Sequence, residues 1–357
     1  MRVYNFAAGP SMLPLEVLEE AQKSLIDYNN SGMSIMECTH RGKVYEPVHS
    51  ECISLVKELM GISDEYEVLL LQGGASTQFD AIPLNLMKTG KADYVVTGNF
   101  AGKAYKEAKK YGEARLAGSS EDKKFTYIPE QSQLTLSSDA DYVHYTMNNT
   151  IYGSKWEYIP TSNAPIVCDM SSCIMSEVVD VNKFGLIYAG AQKNLGPAGV
   201  TLVIVRKDLI GNEMPICPTM LKYSIHAKDN SLYNTPPTFS IYMMMLNLRH
   251  SKALGGIAEI EKTNKAKAKL LYDFLDNSNF YINAVEKGSR SIMNVTFTTP
   301  NEELDAACVK GAAALGLVNL KGHRLVGGLR ASIYNAMPLE GVKLLVEYLG
   351  KFELANK

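Results

Sequence analysis

LIYAGAQKNLGPAGVTLVIV, Leu186–Val205, is two apolar runs joined by a stretch that cannot be helical. Leu186–Ala189 reads as a short buried strand, and Val200–Val205 as a β-branched strand of the same kind. Gly190, Gly196, Pro197 and Gly199 punctuate a turn between them. The second run follows too closely for a crossover helix, so the two strands are expected to pair antiparallel. Lys193 then stands just past a strand end, in a loop stiffened by glycine and proline. An apolar wall strips an ammonium of hydration and lowers its pKa, and an amine neutral near pH 7 is what Schiff-base chemistry requires. An exposed loop lysine satisfies the same stretch equally well, so the rest of the chain has to decide.

Upstream, Ile166–Cys168 is a short strand ending in Asp169, which precedes Lys193 by 24 residues, about one strand-to-strand crossover. Acids at strand ends of an open α/β sheet face the crevice where ligands bind, although Asp169 equally suits a cap for Ser171 or Ser172. Tyr142–Thr146 is a strand running into Asn148–Gly153, and Tyr94–Thr97 is a strand before a helix over Ala101–Tyr111. Glu67–Leu71 is a strand followed by Gly73-Gly74-Ala75-Ser76-Thr77 and a helix from Gln78 to Met87. Strand, glycine pair, small hydroxylated residues and helix together aim free N–H groups and a helix dipole at one point, a cradle for phosphate. The motif is neither a P-loop nor a GxGxxG fingerprint, and a plain glycine turn has the same pattern.

Strand alternating with helix predicts a mainly parallel sheet wrapped by helices. Helices are expected over Leu15–Tyr28 and Val44–Met60, with His40 and Arg41 in the irregular segment between them. Lys103, Lys106, Lys109 and Lys110 read as a solvated helix face. Past the proline-rich SLYNTPPT (Ser231–Thr238), a methionine-rich helix over Ile241–Arg249 suits core or interface. From Gly256 a long helix leads to a smaller α+β unit with strands at Ile292–Phe297 and Leu329–Ile333 and helices at Glu302–Leu315 and Leu339–Leu349. Lys321-Gly322-His323-Arg324 is a basic turn there, and Arg330 lies on the last strand. The expected division is an arm (1–14), a large domain (15–255) and a small C-terminal domain (256–357).

Composition narrows the function. The chain has 357 residues, 46% hydrophobic and 21% charged, with a net charge of −2. That is a globular composition with no electrostatic footprint for nucleic acid or an anionic membrane. No apolar stretch approaches the ~18 residues of a membrane span, and MRVYNFAAGP carries no secretory h-region. The six cysteines are scattered, without metal-ligand spacing, and suit buried thiols in a reducing cytoplasm.

The stretches NFAAGPSMLP, QGGAST, NNTIYG, YAGAQKNLGPAGV, YNTPPTF and KGHRLVGGLRASIYNAM follow one another from about Asn5 to the C-terminus. As an ordered set they resemble the phosphoserine aminotransferases, class V pyridoxal-phosphate enzymes of the aspartate-aminotransferase fold (fold type I). The resemblance implies that Lys193 forms the Schiff base with pyridoxal 5'-phosphate, with Gln192 beside the cofactor phosphate. It implies that Asp169 pairs with the pyridinium nitrogen, that Ala75 and Ser76 cradle the phosphate, and that the Thr150 hydroxyl touches the cofactor. Asn234 and Thr235 are implied to reach the cofactor of a neighbouring subunit, which makes a homodimer with composite sites. Phe100 takes the place of a tryptophan stacked on the ring, keeping an apolar face but losing area and the indole N–H. Ala8 replaces a serine found near the substrate in some members.

The two His-Arg pairs, His40-Arg41 and His323-Arg324, resemble the cluster that reads the substrate's distal anion. Taken alone, either pair is ordinary surface. Arg330 resembles the clamp on the α-carboxylate, a bidentate task. The implied reaction is ping-pong transfer of an amino group from L-glutamate to 3-phosphohydroxypyruvate, giving O-phospho-L-serine and 2-oxoglutarate. A related 4-phosphooxy oxo acid of vitamin B6 biosynthesis is a second substrate by the same resemblance. Two rivals stay open. One is another enzyme on this fold, such as a cysteine desulfurase, which needs an exposed nucleophilic thiol of which Cys217 and Cys308 are the late candidates. The other is a non-catalytic binding protein, against which the presence of Lys193 and Asp169 counts.

Overall fold

In the computed structural model, which describes residues 2–357, these residues form a seven-stranded central sheet. Its strands are β1 (Tyr66–Leu71), β2 (Lys91–Val96), β3 (Glu113–Ser119), β4 (Val143–Thr146), β5 (Ile166–Asp169), β6 (Leu186–Gly190) and β7 (Thr201–Arg206). They lie in the order β1-β7-β6-β5-β4-β2-β3. As expected, β7 runs antiparallel to β6, and also to β1; the other pairings are parallel.

Period-two alternation sends successive side chains to opposite faces. Val68, Leu70, Ile187, Leu202 and Ile204 enter one core, and Leu69, Leu71, Leu186, Tyr188 and Val203 the other. Both faces are covered, which is why these strands are almost uninterruptedly apolar. Helices α1 (Leu15–Ser24), α2 (Glu46–Met60) and α6 (Thr238–Ala253) pack on the first face, where Met243, Met244 and Met245 are buried. On the second lie α3 (Gly74–Leu86), α4 (Asn99–Ala108) and the short α5 (Tyr223–Lys228). Each fully buried aliphatic side chain contributes about 1.5–3 kcal/mol, so these two layers dominate the stability.

A further core gathers α7 (Ile257–Asn277), α8 (Glu302–Ala314), α9 (Leu339–Asn356) and the antiparallel pair β8 (Asn294–Phe297) and β9 (Leu329–Ser332). The N-terminal arm joins it: Tyr4–Asn5 pairs in parallel with Leu317–Val318, and Phe6 is fully buried there. The chain after β9 is pinned by Lys267 of α7, whose Nζ donates to the carbonyls of Ile333, Tyr334 and Met337 at 3.1, 2.8 and 2.9 Å. Three donors meet three acceptors, so this buried lysine is a structural bolt.

The structure differs from the expected elements in several places, among them an unexpected short helix, α5, and an α6 longer at both ends. Helix α3 begins at Gly74 rather than Gln78, because Gly73 (φ +93°) and Gly74 (φ +71°) turn the chain early. Strand β3 was not expected; it is a sheet edge whose buried residues are Ala114 and Ala117, too small and too interrupted by Glu113 and Arg115 to form an apolar run. Helix α1 stops at Ser24, after which Tyr28 N donates to Met33 O in a turn. Helix α9 runs on to Asn356.

Candidate active site

A cavity of about 310 Å³ opens at the C-terminal ends of the parallel strands, where β4 ends in Thr146 and β5 in Asp169. Ala8, Gly74, Ala75, Ser76, Phe100, Thr150, Asp169, Gln192, Lys193, His323 and Arg330 all line it. Sequence positions from the arm to the last strand therefore meet in one place, and Asp169 and Lys193 do share a crevice.

Lys193 occupies the turn between β6 and β7 and donates from Nζ to Thr150 Oγ1 at 2.7 Å. Burial pushes its pKa down from 10.5 to about 8, with the Arg330 charge acting in the same sense and Asp169 and Cys173 opposing. The turn is held from the arm: Ser11 N donates to Gln192 O at 2.9 Å and Ser11 Oγ to Lys193 O. Gly9 adopts φ +143°, and a Cβ there would lie 3.4 Å from Lys193 Cγ. The arm thus lies directly against the lysine.

Asp169 both caps the chain after it and faces the crevice. Its Oδ1 accepts the Ser171 N–H at 2.9 Å, while the residue still lines the cavity. Burial raises its carboxyl above the usual range, and the Ser171 hydrogen bonds and the Lys193 charge pull it back. The cradle is built as a helix start. Gly73 takes φ +93°, and a Cβ there would sit 2.1 Å from Thr77 Oγ1. Gly74, Ala75 and Ser76 form the first turn of α3, whose N–H groups have no intrahelical partner.

Arg330 Nη1 donates to Thr150 O at 3.2 Å, which seats the guanidinium beside the residue that holds Lys193. Burial lowers its pKa, with Tyr334 opposing. His323 Nδ1 accepts the Leu325 N–H at 3.2 Å, which leaves Nε2 as the protonated nitrogen of the neutral ring. Burial holds that imidazole below its usual range, followed by the charges of Arg330, Arg324 and Lys103.

Five expected residues are absent from the cavity lining: His40, Arg41, Asn234, Thr235 and Arg324. Arg324 is exposed next to His323. The other four form a second group. Arg41 Nη2 donates to Leu232 O and Tyr233 O at 3.3 and 3.2 Å, just before Asn234 and Thr235. Gln72 Nε2 donates to Thr235 O at 3.0 Å, so this group lies beside the cradle. His40 Nε2 is buried with no partner among the described residues.

Several lining residues had no role in the sequence reading. Thr146 Oγ1 is buried at the cavity with no partner among the described residues. Asn148 donates from Nδ2 to Ser172 Oγ and Asn294 Oδ1, both at 2.8 Å, and Asn294 donates on to Ser332 Oγ and Tyr334 Oη at 3.0 and 3.1 Å. Tyr334 in turn donates to Ala8 O at 2.7 Å. This buried chain ties the strand pair that carries Arg330 to the Asn148–Thr150 loop and to the arm. The NNT motif was its only local signal. The six cysteines are buried and free, and burial raises the Cys308 thiol to about 11, so none is a poised nucleophile. Among the described residues no group of side chains could hold a metal ion, and no helix is long and apolar enough to cross a membrane.

The class-V aminotransferase family model matches residues 3–345. The phosphoserine aminotransferase of Bacillus cereus is 56% identical over 358 residues, covering 100% of this chain and 99% of that protein. That of Listeria monocytogenes is 54% identical, covering 100% and 98%. The solved phosphoserine aminotransferase of Bacillus circulans subsp. alkalophilus superimposes with a TM-score of 0.98 at 50% identity, covering 100% of this chain and 99% of that one. The pyridoxal-phosphate-bound enzyme of Trichomonas vaginalis does so at 0.94 and 37% identity, covering 98% and 100%.

Proposed function

The chain belongs to the class-V aminotransferase family, and from that premise we propose that its cavity exchanges an amino group between L-glutamate and 3-phosphohydroxypyruvate. It is a pyridoxal-phosphate-dependent aminotransferase of the phosphoserine aminotransferase type, which places it in serine biosynthesis. The observation that carries the reading is Lys193: an amine held in a walled cavity, lowered to about 8, opposite a buried carboxylate.

The residues fit the cofactor. The cradle leaves no room for a Cβ at Gly73, and the Thr146 hydroxyl is a buried group without a partner. The free N–H groups of the first α3 turn suit a phosphate, with Ala75, Ser76 and Gln192 around it. Asp169 would face the ring nitrogen, Phe100 its face and Thr150 its edge. When bound, pyridoxal phosphate supplies the aldehyde that takes up the amino group and the ring that holds the electrons released at the substrate's Cα.

The chain's own part is positioning and proton transfer. Lys193 Nζ, neutral for an appreciable fraction near pH 7, accepts the proton at substrate Cα and returns it to complete the transfer. Asp169 would hold a proton on the ring nitrogen of a bound cofactor. Arg330 grips the α-carboxylate of both substrates, and His323 with Arg324 reads the distal anion. His40, Arg41, Asn234 and Thr235 serve a second copy of the chain. Their clustering beside the cradle and outside their own cavity, together with the unpartnered His40 Nε2, supports a homodimer with shared sites. The free buried thiols support a cytoplasmic setting. A boundary near residue 256 is supported by the separate core that begins at Ala268 and takes in the arm through Phe6.

The test is the visible spectrum of the cofactor-loaded protein. L-Glutamate should bleach the cofactor band and 3-phosphohydroxypyruvate should restore it. A band indifferent to both refutes the substrates. Lys193→Ala should abolish turnover with the far-UV circular dichroism unchanged, and full residual activity would overturn the assignment.

A further inference from the structure

Helix α4 and the turn that ends it carry four lysines, Lys103, Lys106, Lys109 and Lys110, in different surroundings. Lys110 pairs with Glu107, and Lys109 lies over the Tyr105 ring at 4.1 Å. Lys103 lies instead beside Phe100, a residue of the cavity lining. Its Nζ stands 5.6 Å from the centroid of the Phe100 ring, the ring that Lys193 Nζ addresses at 5.8 Å. Phe100 and Lys103 are three residues apart on one helix and so share a face. Lys103 is exposed and makes no ion pair among the described residues. It is also close enough to His323 for its charge to act on that imidazole. The cavity is lined by Arg330, Lys193 and His323, with Lys103 beside it over Phe100 and Arg324 next to His323, and Asp169 is the one carboxylate in the lining among the described residues.

An unpaired ammonium beside a cavity that already holds the Arg330 guanidinium adds to a positive field, and an anion compensates it. A phosphate monoester near pH 7 carries nearly two negative charges and a γ-carboxylate one, so the field favours the phosphorylated substrate. We infer that Lys103 is a specificity-determining residue that favours a phosphorylated oxo acid over its carboxylate and uncharged counterparts. The inference rests on the proposed reaction and adds a residue to it.

The experiment is steady-state kinetics of the cofactor-loaded enzyme and its Lys103→Ala, Lys103→Glu and Lys103→Arg variants. The substrates are 3-phosphohydroxypyruvate, L-glutamate and unphosphorylated hydroxypyruvate. From the worth of an exposed charge pair, Lys103→Ala should raise KM for 3-phosphohydroxypyruvate about two- to five-fold, and Lys103→Glu by more. Lys103→Arg should stay near wild type, KM for L-glutamate should change less than two-fold, and hydroxypyruvate should show no change. The differences should shrink as salt is raised, because exposed charges are screened. Equal effects on phosphorylated and unphosphorylated substrates, or none, would overturn the role of Lys103 while leaving the reaction intact. Failure of the wild type to turn over 3-phosphohydroxypyruvate would overturn the proposed reaction itself.

Discussion

Lys193 should become nucleophilic at a pH far below that of an ordinary lysine. Burial and the Arg330 charge carry its pKa from 10.5 to about 8. At pH 7 roughly a tenth of the amine is then neutral, against roughly one part in three thousand for an unperturbed lysine. The sign follows from which form reacts: the ammonium cannot add to an aldehyde, so reactivity rises tenfold per pH unit below about 8 and levels off above it. Cofactor-free protein exposed to pyridoxal between pH 6 and 10, trapped with borohydride and mapped by mass spectrometry, reads that profile at one residue. Arg330→Gln removes a charge that lowers the pKa and should move the plateau to higher pH. Asp169→Asn removes one that raises it and should move the plateau lower. Lys267 is an internal control, because burial takes it to about 7 yet its Nζ is committed to three carbonyls; it should remain unlabelled. A Lys193 profile still climbing through pH 10 would refute the account of its environment.

Arg330→Ala should raise KM for both L-glutamate and 3-phosphohydroxypyruvate by ten-fold or more, since a charge-assisted hydrogen bond contributes about 1.5–3 kcal/mol. An effect confined to the phosphorylated substrate would instead assign Arg330 to the distal anion. Lys267→Met leaves three buried carbonyls without their donor and should cost about 3 kcal/mol, seen as a lowered urea midpoint; an unchanged midpoint would deny it a structural role. Gly73→Ala forces a Cβ against Thr77 Oγ1 from a left-handed backbone and should weaken cofactor affinity at least ten-fold while far-UV circular dichroism stays constant. Fluorescence titration with pyridoxal phosphate checks it.

What could be read along the chain was whatever depends on near neighbours. The β6–turn–β7 unit around Lys193, the antiparallel sense of β7, the strand ending in Asp169 and the phosphate cradle all follow from periodicity and from glycine and proline over short spans. Strand β3 escaped because a sheet edge needs only two small buried residues, Ala114 and Ala117, and hydrogen bonds to β2 rather than an apolar run. Family resemblance supplied roles for the cavity residues, but not the network through Asn148, Asn294 and Tyr334, whose members are buried polar groups from distant segments.

The two His-Arg pairs make the same point sharply. His40-Arg41 and His323-Arg324 are alike as dipeptides, yet only His323 lines the cavity of its own chain, while Arg41 is bound to carbonyls before Asn234. Likewise Lys103, Lys106, Lys109 and Lys110 read as one solvated face, yet Lys110 pairs with Glu107 and Lys109 lies over Tyr105, while Lys103 lies over Phe100, whose place in the cavity is set by the tertiary fold. Local order in this protein is written in residue spacing. Which groups share a cavity, and which charge state burial imposes on them, depends on sheet order and packing, because desolvation and Coulomb interaction act through distance in space and not along the chain.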